Sequence, residues 1–530
     1  DKSTSLFGTI ISLAESPIKE NLLYAGTDDG LIQVTEDQTT WRKIDKFNGV
    51  PENTYVSDIC PSKFDENVVF ASFNNTLRDD FKPYILKSTD KGKTWKSIAN
   101  NLPVNGAIHS IEQDFVNPDL LFVGTEFSIF ASTDGGENWI PLKSGLPDIP
   151  VRDITIQKRE NDLVIATFGR GFYVLDNYSP LRLVNKQLTE KDAEIFPIKD
   201  ALMFMKGYSG GSLGTTYFTA PNPDFGAVFT YYIKDVPKTL KQERKEAEKK
   251  LFKDGKPIPQ PSDSLLFLEK EEIAPYLIFT IYDESGNEIR KINTSANKGI
   301  NRIVWDLTYQ NLAPMDKVEK YDPIAKQRGS FLVMPGKYKV GLSIVTRNGA
   351  KQLVEPVEFN TVPLRNTVLP ATDREQMVAF QTKSNELARQ IWGANKFINE
   401  INNKLTSIKQ VLSVMPSVDE KLIKKATELN LELKQISLKF ERRSDSPSAE
   451  ENPPSPVTIN ERLSTLVYTH WRSTSNITNN ERNAFNILSE EFPPLYKRLV
   501  EINEKEIKEL EKELERIKAP YTPGRIINVK

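Results

Sequence analysis

The sequence has little of the chemistry on which many protein classes depend. It holds one cysteine and two histidines in 530 residues, which excludes an intramolecular disulfide framework and a cysteine- or histidine-rich metal site. Lys and Arg number 70 against 72 for Asp and Glu, so no basic excess is available for a nucleic-acid backbone. The apolar runs, such as Tyr276 to Ile281, fall far short of the roughly 20 residues that a bilayer requires. We therefore expect no metal, cofactor, nucleic-acid partner or transmembrane segment.

The first 180 residues repeat one pattern of short β-rich runs, and a period of about 40 to 50 residues indicates an array or a propeller. Gly, Asn and Asp separate the runs, so each unit is interpreted as one antiparallel blade. The fourth unit ends at Asp176-Asn177 without a last tryptophan strand. The apolar runs that open the four units are Ile10 to Leu13, Val56 to Ile59, Ile108 to Ile111 and Val151 to Ile154. We expect a partial β-propeller over residues 1–180.

A sharper motif, Ser-x-Asp-x-Gly-x-Thr-Trp, stands between the third and fourth strands of two units, with Asn138 in place of Thr in the second copy. Asp and Ser can hydrogen-bond the backbone of a tight turn, Gly takes a positive φ, and Trp packs beneath the hairpin. The first unit has a worn version, Thr35 to Trp41, which is one residue short and lacks the glycine. The residues expected to build these turns are Ser88, Asp90, Gly92, Trp95, Ser132, Asp134, Gly136 and Trp139.

This motif resembles the Asp-box, or BNR repeat, of sortilins, propeller xyloglucanases and sialidases. The sequence is most similar to the large bacterial sortilin-like proteins that are often labelled glycosyl hydrolase. The resemblance implies an extracytoplasmic protein that is secreted, periplasmic or associated with the cell surface of a bacterium. Such proteins carry many more N-terminal blades, so this chain resembles their C-terminal portion. Beyond the propeller the similarity includes Ala220 to Ala227, Tyr282 to Gly286, Asn301 to Leu307 and Pro520 to Arg525.

After residue 180 the blade repeat ends. Residues 181–214 are interpreted as a linker, and residues 215–363 as an antiparallel, immunoglobulin-like β-sandwich. Within the sandwich, the stretch 236–275 is interpreted as a solvated insertion because Lys and Glu dominate its first part.

From residue 372 to 518 the apolar spacings alternate between three and four, which predicts a helical bundle. Residues 519–530 form a C-terminal tail. A mobile linker is expected at 443–456, which is rich in Ser, Pro and Glu, and Pro493-Pro494 should kink or divide the last helix. Four capping boxes predict four helix starts, at Thr372, Ser417, Thr458 and Thr478.

No residue stands in a motif that is specific for catalysis. A propeller glucanase needs two carboxylates across a cleft, but Asp at blade ends usually serves turns. His109, His470 and Cys60 are interpreted as packed or hydrogen-bonded residues. The charged residues at blade ends are Asp28, Asp29, Asp58, Glu126, Asp153, Arg170 and Asp176. We assign no catalytic residue.

The Asp-boxes lie in turns between the third and fourth strands of a blade, so ligand contacts should favour the opposite end. There the second unit has an extended loop from Asn74 to Pro83. Its charged residues and an aromatic anchor make it a candidate ligand face. The alternative is a surface insertion that binds no ligand. The candidates are Arg78, Asp79, Asp80 and Phe81.

Two functions remain open. The favoured one is a non-catalytic recognition or scaffold protein that binds a polypeptide or envelope protein through its propeller, as the sortilin resemblance implies. The alternative is a carbohydrate-active glycoside hydrolase. Because an open fan would leave unpaired strand edges, we also expect the outer blades to contact an N-terminal propeller portion of the same protein. That portion is cleaved and retained, present as another chain, or part of the same polypeptide.

Overall fold

The computed structural model describes residues 8–143, 145–205, 214, 216–315, 320–364, 371–416, 418–442, 455–471 and 473–527. The chain divides into two compact units, Asp1–Phe196 and Pro197–Lys530. The structure is mainly β, with many antiparallel sheets, and helices follow toward the C-terminus. In the part of the chain that the structure describes, no helix is long and apolar enough to cross a membrane.

Four antiparallel sheets follow one another along the first unit, and within each sheet the strands pair in chain order. The first three have four strands and the fourth has three. Sheet 1 holds β1 (Ile10–Glu15), β2 (Leu23–Thr27), β3 (Ile32–Thr35) and β4 (Trp41–Ile44); sheet 2 holds β5 (Tyr55–Pro61), β6 (Val69–Asn75), β7 (Asp80–Ser88) and β8 (Lys96–Ser97). Sheet 3 holds β9 (Ile108–Gln113), β10 (Leu121–Thr125), β11 (Ile129–Ser132) and β12 (Ile140–Pro141), and sheet 4 holds β13 (Val151–Gln157), β14 (Asp162–Thr167) and β15 (Phe172–Leu175).

The four sheets pack face to face in chain order. Their first strands, β1, β5, β9 and β13, are neighbours in that order, and buried apolar side chains fill each of the three interfaces. Sheets 2 and 3 are covered on both faces, so every residue of β6 and of β10 is buried. Along the first five residues of β14, half-buried and buried residues alternate. A strand that alternates in this way has one covered face.

The segment after β15 folds back on sheet 3. Arg182 donates from Nε and Nη2 to the Asp114 carboxylate, over 2.9 and 2.8 Å, and the Tyr178 hydroxyl also donates to Asp114. Burial alone would raise the pKa of Asp114, but the hydrogen bonds from Arg182 and Tyr178 lower it below its ordinary value. The segment is therefore held at the turn between β9 and β10, and it adds no fourth strand to sheet 4.

The region predicted as a linker is ordered as far as the structure describes it. It begins within a 3-10 turn, Ser179–Leu183, and continues through helix α1 (Lys186–Glu190), β16 (Ala193–Ile195) and β17 (Ala201–Met203). β17 joins the edge of a sheet in the second unit by pairing in parallel with a later strand. The antiparallel sandwich expected from residue 215 is thus wrong at this edge, because a three-residue strand carries no sequence period that shows its direction.

Two sheets of the second unit pack through aromatic side chains. Phe229 lies 5.3 Å from Phe359 and 6.2 Å from Phe279 between ring centroids, and Trp305 is fully buried. One sheet contains β18 (Ala227–Ile233) paired with β21 (Gly299–Trp305). The other has the order β17, β25 (Gly349–Pro363), β24 (Gly336–Thr346), β19 (Tyr276–Tyr282) and β20 (Glu288–Ser295), and β22 (Thr308–Gln310) pairs with β23 (Gly329–Leu332).

The predicted solvated insertion forms two helices, α2 (Leu240–Lys253) and α3 (Asp263–Glu271), and neither buries a residue. Arg244 holds them together with two hydrogen bonds to Glu269, of 2.5 and 2.8 Å. Thr239 and Gln242 cap α2 reciprocally, so a capping box marks this helix in the sequence as well.

The chain ends in helices around one apolar core. They are α4 (Arg374–Val414), α5 (Glu420–Phe440), α6 (Ile459–Trp471), α7 (Asn479–Glu501) and α8 (Lys508–Arg516), and a π-helical stretch, Ile502–Ile507, joins the last two. The two prolines lie inside α7, which continues through them. Of the expected kink or division, the division is therefore wrong, because buried Leu488, Phe492 and Leu499 hold both halves of the helix in the core. A kink at the prolines stays a prediction.

Two of the four predicted capping boxes are present, at Thr458 and Thr478. The expected cap at Thr372 is wrong: Asp373 accepts from the Gln376 amide over 2.8 Å and caps α4 instead. Asp419 caps α5, and Ser417 lies outside the described residues. Most of the predicted mobile linker, 443–454, lies outside them as well.

Candidate functional site

The Ser-x-Asp turn of sheet 2 uses its polar groups for its own backbone. Asp90 accepts from the Thr94 amide over 2.8 Å, and Ser88 accepts from the Gly92 amide over 2.8 Å. Gly92 has a φ of +77°, and Trp95 donates to its carbonyl over 3.1 Å. Burial raises the pKa of Asp90, but the hydrogen bonds from Thr94 and Ser88 outweigh it and lower the pKa to about 2. This carboxylate forms a turn and is not placed for chemistry.

The turn of sheet 3 repeats this arrangement. Asp134 accepts from both the backbone and the side-chain amide of Asn138, each over 2.8 Å, so Asn replaces Thr without loss of the contact. Gly136 has a φ of +97°. Trp139 is buried and donates to the carbonyl of Ile98 over 2.8 Å. The tryptophan thereby joins the turn to the segment that leaves sheet 2.

The worn turn of sheet 1 keeps its central contact. Asp37 accepts from the Thr39 and Thr40 amides over 2.9 and 2.7 Å. Gln38 takes a φ of +64° in place of a glycine. Trp41 is exposed. All three turns thus share the aspartate, a hydroxyl group two residues before it that donates to its carboxylate, and the tryptophan.

At the opposite end of sheet 2, the extended loop predicted from Asn74 to Pro83 is wrong in length. β6 continues to Asn75 and β7 begins at Asp80, so only residues 76–79 form the loop. Asp80 explains the difference: its carboxylate accepts from the side-chain amide of Asn75 over 3.2 Å and from the Tyr84 hydroxyl over 2.6 Å. These bonds extend the hairpin beyond its apolar residues.

The four candidates on this loop therefore differ in role. Asp80 closes the hairpin, and Phe81 is half-buried. Arg78 is exposed and donates to the Glu52 carbonyl over 2.8 Å. Asp79 takes a φ of +59° and ends the short 3-10 turn. Among these four, only Arg78 and Asp79 are fully exposed at the surface.

A polar cluster lies at the same end of sheets 3 and 4. The pairing register of the first strand shifts at an equivalent position in all four sheets. Such a β-bulge re-aims a side chain. The residues at the bulge are Ile11, Ser57, His109 and Arg152. The third and fourth of them contact each other.

His109 holds the cluster together. Its Nε2 lies 2.6 Å from Oε2 of Glu126, and its Nδ1 lies 3.2 Å from the Asn74 amide nitrogen. Because an amide NH₂ can only donate, Nδ1 is the acceptor and Nε2–H donates to the carboxylate. Arg152 Nη1 lies 3.1 Å from Nδ1 and 3.2 Å from Nε2, so the guanidinium covers the face of the ring. Burial, aided by the Arg152 charge, lowers the pKa of His109, which keeps the imidazole neutral at neutral pH.

An exposed aromatic ring packs on this cluster. The Arg152 guanidinium lies 5.2 Å from the centroid of the Phe168 ring, and Phe168 is 66% exposed. Phe127, which follows Glu126 in the loop after β10, is exposed too. We name His109, Glu126, Arg152 and Phe168 the loop-end cluster. His109 and Glu126 stood out in the sequence, whereas Arg152 was missed, although its bulge position could have been found by aligning the repeats.

Asp58 has a different role, at the joint between sheets 1, 2 and 3. It accepts from the Ile111 amide over 2.9 Å and from the Ile59 amide over 2.8 Å, and the Ser12 hydroxyl lies 3.4 Å away. Burial raises the pKa of Asp58 to about 6. The arrangement is that of a half-buried structural acceptor.

The other predicted candidates are scattered. Asp28 accepts from the Thr9 amide and Asp29 from the Thr27 hydroxyl. Cys60 is buried, and burial raises the pKa of its thiol to about 12. The side chain of His470 lies outside the described part of the chain. Asp153 lies on β13, exposed Arg170 lies in the turn before β15, and Asp176 follows β15. Within the described residues, no three His, Cys, Asp or Glu side chains are grouped to hold a metal ion.

The comparisons with known proteins show likeness in structure only. No family model matches the sequence, and no curated protein does. The GH74 xyloglucanase from Xanthomonas campestris is 13% identical over 32% of this chain and 29% of its own, with a TM-score of 0.26. YCF48 from Cyanidioschyzon merolae is 18% identical over 32% of this chain and 53% of its own, with a TM-score of 0.24. Both are β-propeller proteins, and the aligned part spans less than two thirds of either.

Proposed function

We propose that this chain is a non-catalytic recognition protein of the sortilin-like, Asp-box propeller type, and that it binds a polypeptide through the loop-end cluster. In this proposal the four sheets are propeller blades, and the β-rich part of the second unit is an immunoglobulin-like sandwich. The proposed location is extracytoplasmic, at the surface or in the periplasm of a bacterium. The Ser-x-Asp turns and the face-to-face sheets support the propeller assignment.

One observation carries the proposed function: an exposed aromatic ring, Phe168, packs on an arginine that is held in place. Arg152 is fixed by His109 and Glu126, and its side chain is still 45% exposed. Phe168 and Phe127 lie at the same end of their sheets. A pre-positioned arginine beside aromatic rings is typical of the residues that dominate protein–protein binding energy, because little side-chain entropy is then lost on binding.

The polar side chains of the loop-end cluster interact with one another. Glu126 accepts from His109 over 2.6 Å and lies 4.0 Å from Arg152, while His109 is neutral and covered. The cluster thus offers a donor and apolar area, which suit a polypeptide with a carboxylate or a carbonyl near an apolar side chain. Arg78 and Asp79 at the same end of sheet 2 belong to the proposed ligand face. The proposed partners also include an N-terminal propeller portion of the same protein.

A phage-displayed random peptide library, panned on the full chain, tests this function. We expect enriched peptides that bind wild type, and at least tenfold weaker binding by Arg152→Ala and by Phe168→Ala. Arg159→Ala is the matched control, because Arg159 is 80% exposed in the turn at the opposite end of sheet 4. Equal binding by all variants, or no enrichment, contradicts the proposal. Hydrolysis of polysaccharides or sialosides by wild type, lost in Glu126→Gln, would instead establish the glycosidase alternative.

A further inference from the structure

One cross-strand row repeats in all four sheets. In each sheet it joins a polar residue on the first strand, a small residue on the second and an apolar residue on the third. The rows are Ser12–Gly26–Ile32, Asp58–Ser72–Ile85, Ser110–Gly124–Ile129 and Asp153–Ala166–Phe172. We call each the contact row of its sheet.

In the contact rows of sheets 1 and 2 the polar residue binds the next sheet. Ser12 accepts from the Ile59 amide of sheet 2 over 3.0 Å, and Asp58 accepts from the Ile111 amide of sheet 3 over 2.9 Å. Both amides belong to the residue that follows the polar position in the next first strand. The same kind of contact therefore joins sheets 1 and 2 and sheets 2 and 3, whereas the Ser110 hydroxyl of sheet 3 has no hydrogen-bond partner among the described residues.

The small residue makes room for the next sheet. A Cβ on Gly26 would lie 2.5 Å from Cγ1 of Val56, and one on Gly124 would lie 2.7 Å from Cγ1 of Val151. Val56 and Val151 both directly precede the bulge of the following first strand. A large residue at the small position would push the next sheet away.

The exposed fraction of the apolar residue differs between rows that have a following sheet and the row that lacks one among the described residues. Ile32, Ile85 and Ile129 are all 0% exposed, whereas Phe172 is 77% exposed. Val174 on the same strand is also exposed. The fourth row thus keeps the composition of a buried face, with an acceptor, a small residue and a large apolar residue, although none of the described residues covers it.

Asp153 has the geometry that Asp58 uses. Its Oδ1 accepts from the Ile154 amide over 2.8 Å, as Oδ1 of Asp58 accepts from Ile59 over 2.8 Å. In Asp58 the second oxygen binds the next sheet. Among the described residues, the second oxygen of Asp153 has no hydrogen-bond donor. The oxygen is therefore positioned to accept from one more amide.

We propose that the contact row of sheet 4 is a docking surface for the first strand of a further Asp-box blade, which belongs to the N-terminal propeller portion proposed above as a partner. The docked strand places an apolar residue on Ala166 and donates a backbone amide to Asp153. Phe172 and Val174 become buried against it. This occupant is chosen because the apolar residue of each of the first three contact rows is buried against a following sheet, and because Asp58 already accepts an amide from that sheet as proposed for Asp153. The inference rests on that proposed partner, but it involves no residue of the loop-end cluster.

A photo-crosslinking experiment in the cells that produce the protein tests the surface. Phe172 is replaced by p-benzoylphenylalanine, the cells are irradiated, and the linked peptides are identified by mass spectrometry. We expect the linked peptide to come from a strand of an Asp-box blade outside residues 1–530. The yield should fall at least fivefold with Asp153→Ala and be retained with Asp153→Asn, which keeps the acceptor. p-Benzoylphenylalanine at Phe127 is the control and should not give this peptide.

Three outcomes overturn the inference. They are a link to Ile10–Glu15 of a second copy, a link to a peptide of another kind, and no link at all. Ile10 and Leu13 make the second copy a real competitor, since both are exposed in sheet 1 while their equivalents in later sheets are buried. Arg152→Ala should leave the crosslink unchanged. Loss of peptide binding with an intact crosslink would therefore affect the proposed function alone.

Discussion

Sheets 3 and 4 contain the same repeat, yet they differ in what covers them. Ile129 and Phe172 occupy the same place in their contact rows, and one is 0% and the other 77% exposed. The two sheets were built from similar residues, so composition does not explain this difference. It is explained by the neighbour that packs on sheet 3 and that sheet 4 lacks among the described residues. The comparison shows that a repeat can have the residues of a buried interface on a sheet face that no neighbouring sheet covers.

The largest expected effect separates these two equivalent residues. Ile129→Ala should lower the free energy of unfolding of the first unit by about 2–5 kcal/mol, because it leaves a cavity in a buried interface. Phe172→Ala should change it by less than about 0.5 kcal/mol, since an exposed side chain has little to lose. Urea titration, monitored by hydrogen exchange of the β10 amides, measures both changes in the free energy of unfolding. Equal costs would show that sheet 4 is covered in solution by the chain itself.

A second difference concerns the two aspartates of the contact rows. The folded-state pKa of Asp58, about 6, lies above the ordinary aspartate value of 3.8, so the folded state binds this proton more tightly. The stability that the proton provides is therefore present below about pH 4 and is lost as the pH rises through 6. A shift of this size corresponds to up to about 3 kcal/mol. Burial is the main cause, and the charges of Asp153 and Glu112 add to it.

Asp58→Asn should abolish this loss of stability between pH 4 and 6, whereas Asp153→Asn, at an exposed position, should leave most of it in place. Thermal unfolding of the first unit, followed by far-UV circular dichroism at each pH, gives the comparison. If Asp58→Asn kept the full slope, another group would be responsible for it.

The smallest expected effect comes from the turn that sheet 3 has and sheet 4 lacks. Asp134→Ala removes the acceptor of the Asn138 amide and should destabilise sheet 3 by about 1 kcal/mol. Asp148→Ala, at an exposed position in the link to sheet 4, is the control and should have no measurable effect. Hydrogen exchange of β11 and β12 reports both. Unchanged exchange in Asp134→Ala would show that Trp139 alone holds the turn.

The strands and helices with a regular hydrophobic period could be predicted best from the sequence. The strands that open the four units were placed from their apolar runs, and the helices of the last third were indicated by spacings of three and four. The departures are local. Asp80 extends a hairpin that was predicted as a loop, and Asp373 replaces Thr372 as a helix cap. In each case a polar side chain found a partner that hydrophobic periodicity does not indicate.

The candidate site was predicted in fragments. His109 and Glu126 were singled out separately, and both were given structural or uncertain roles. Arg152 was not chosen, although it lies against both of them. Contacts between different repeats depend on the bulge in each first strand, and the packing of the sheets decides which bulges meet.

The sequence by itself determined the repeat, its turns and the order of the elements, because these depend on neighbours within a few residues along the chain. The tertiary structure decided which equivalent residues became buried and which stayed exposed. Asp58 and Asp153 show the reason: they hold the same position in the repeat, but the exposure of a side chain depends on the sheet that packs against it. Only one of them has that sheet.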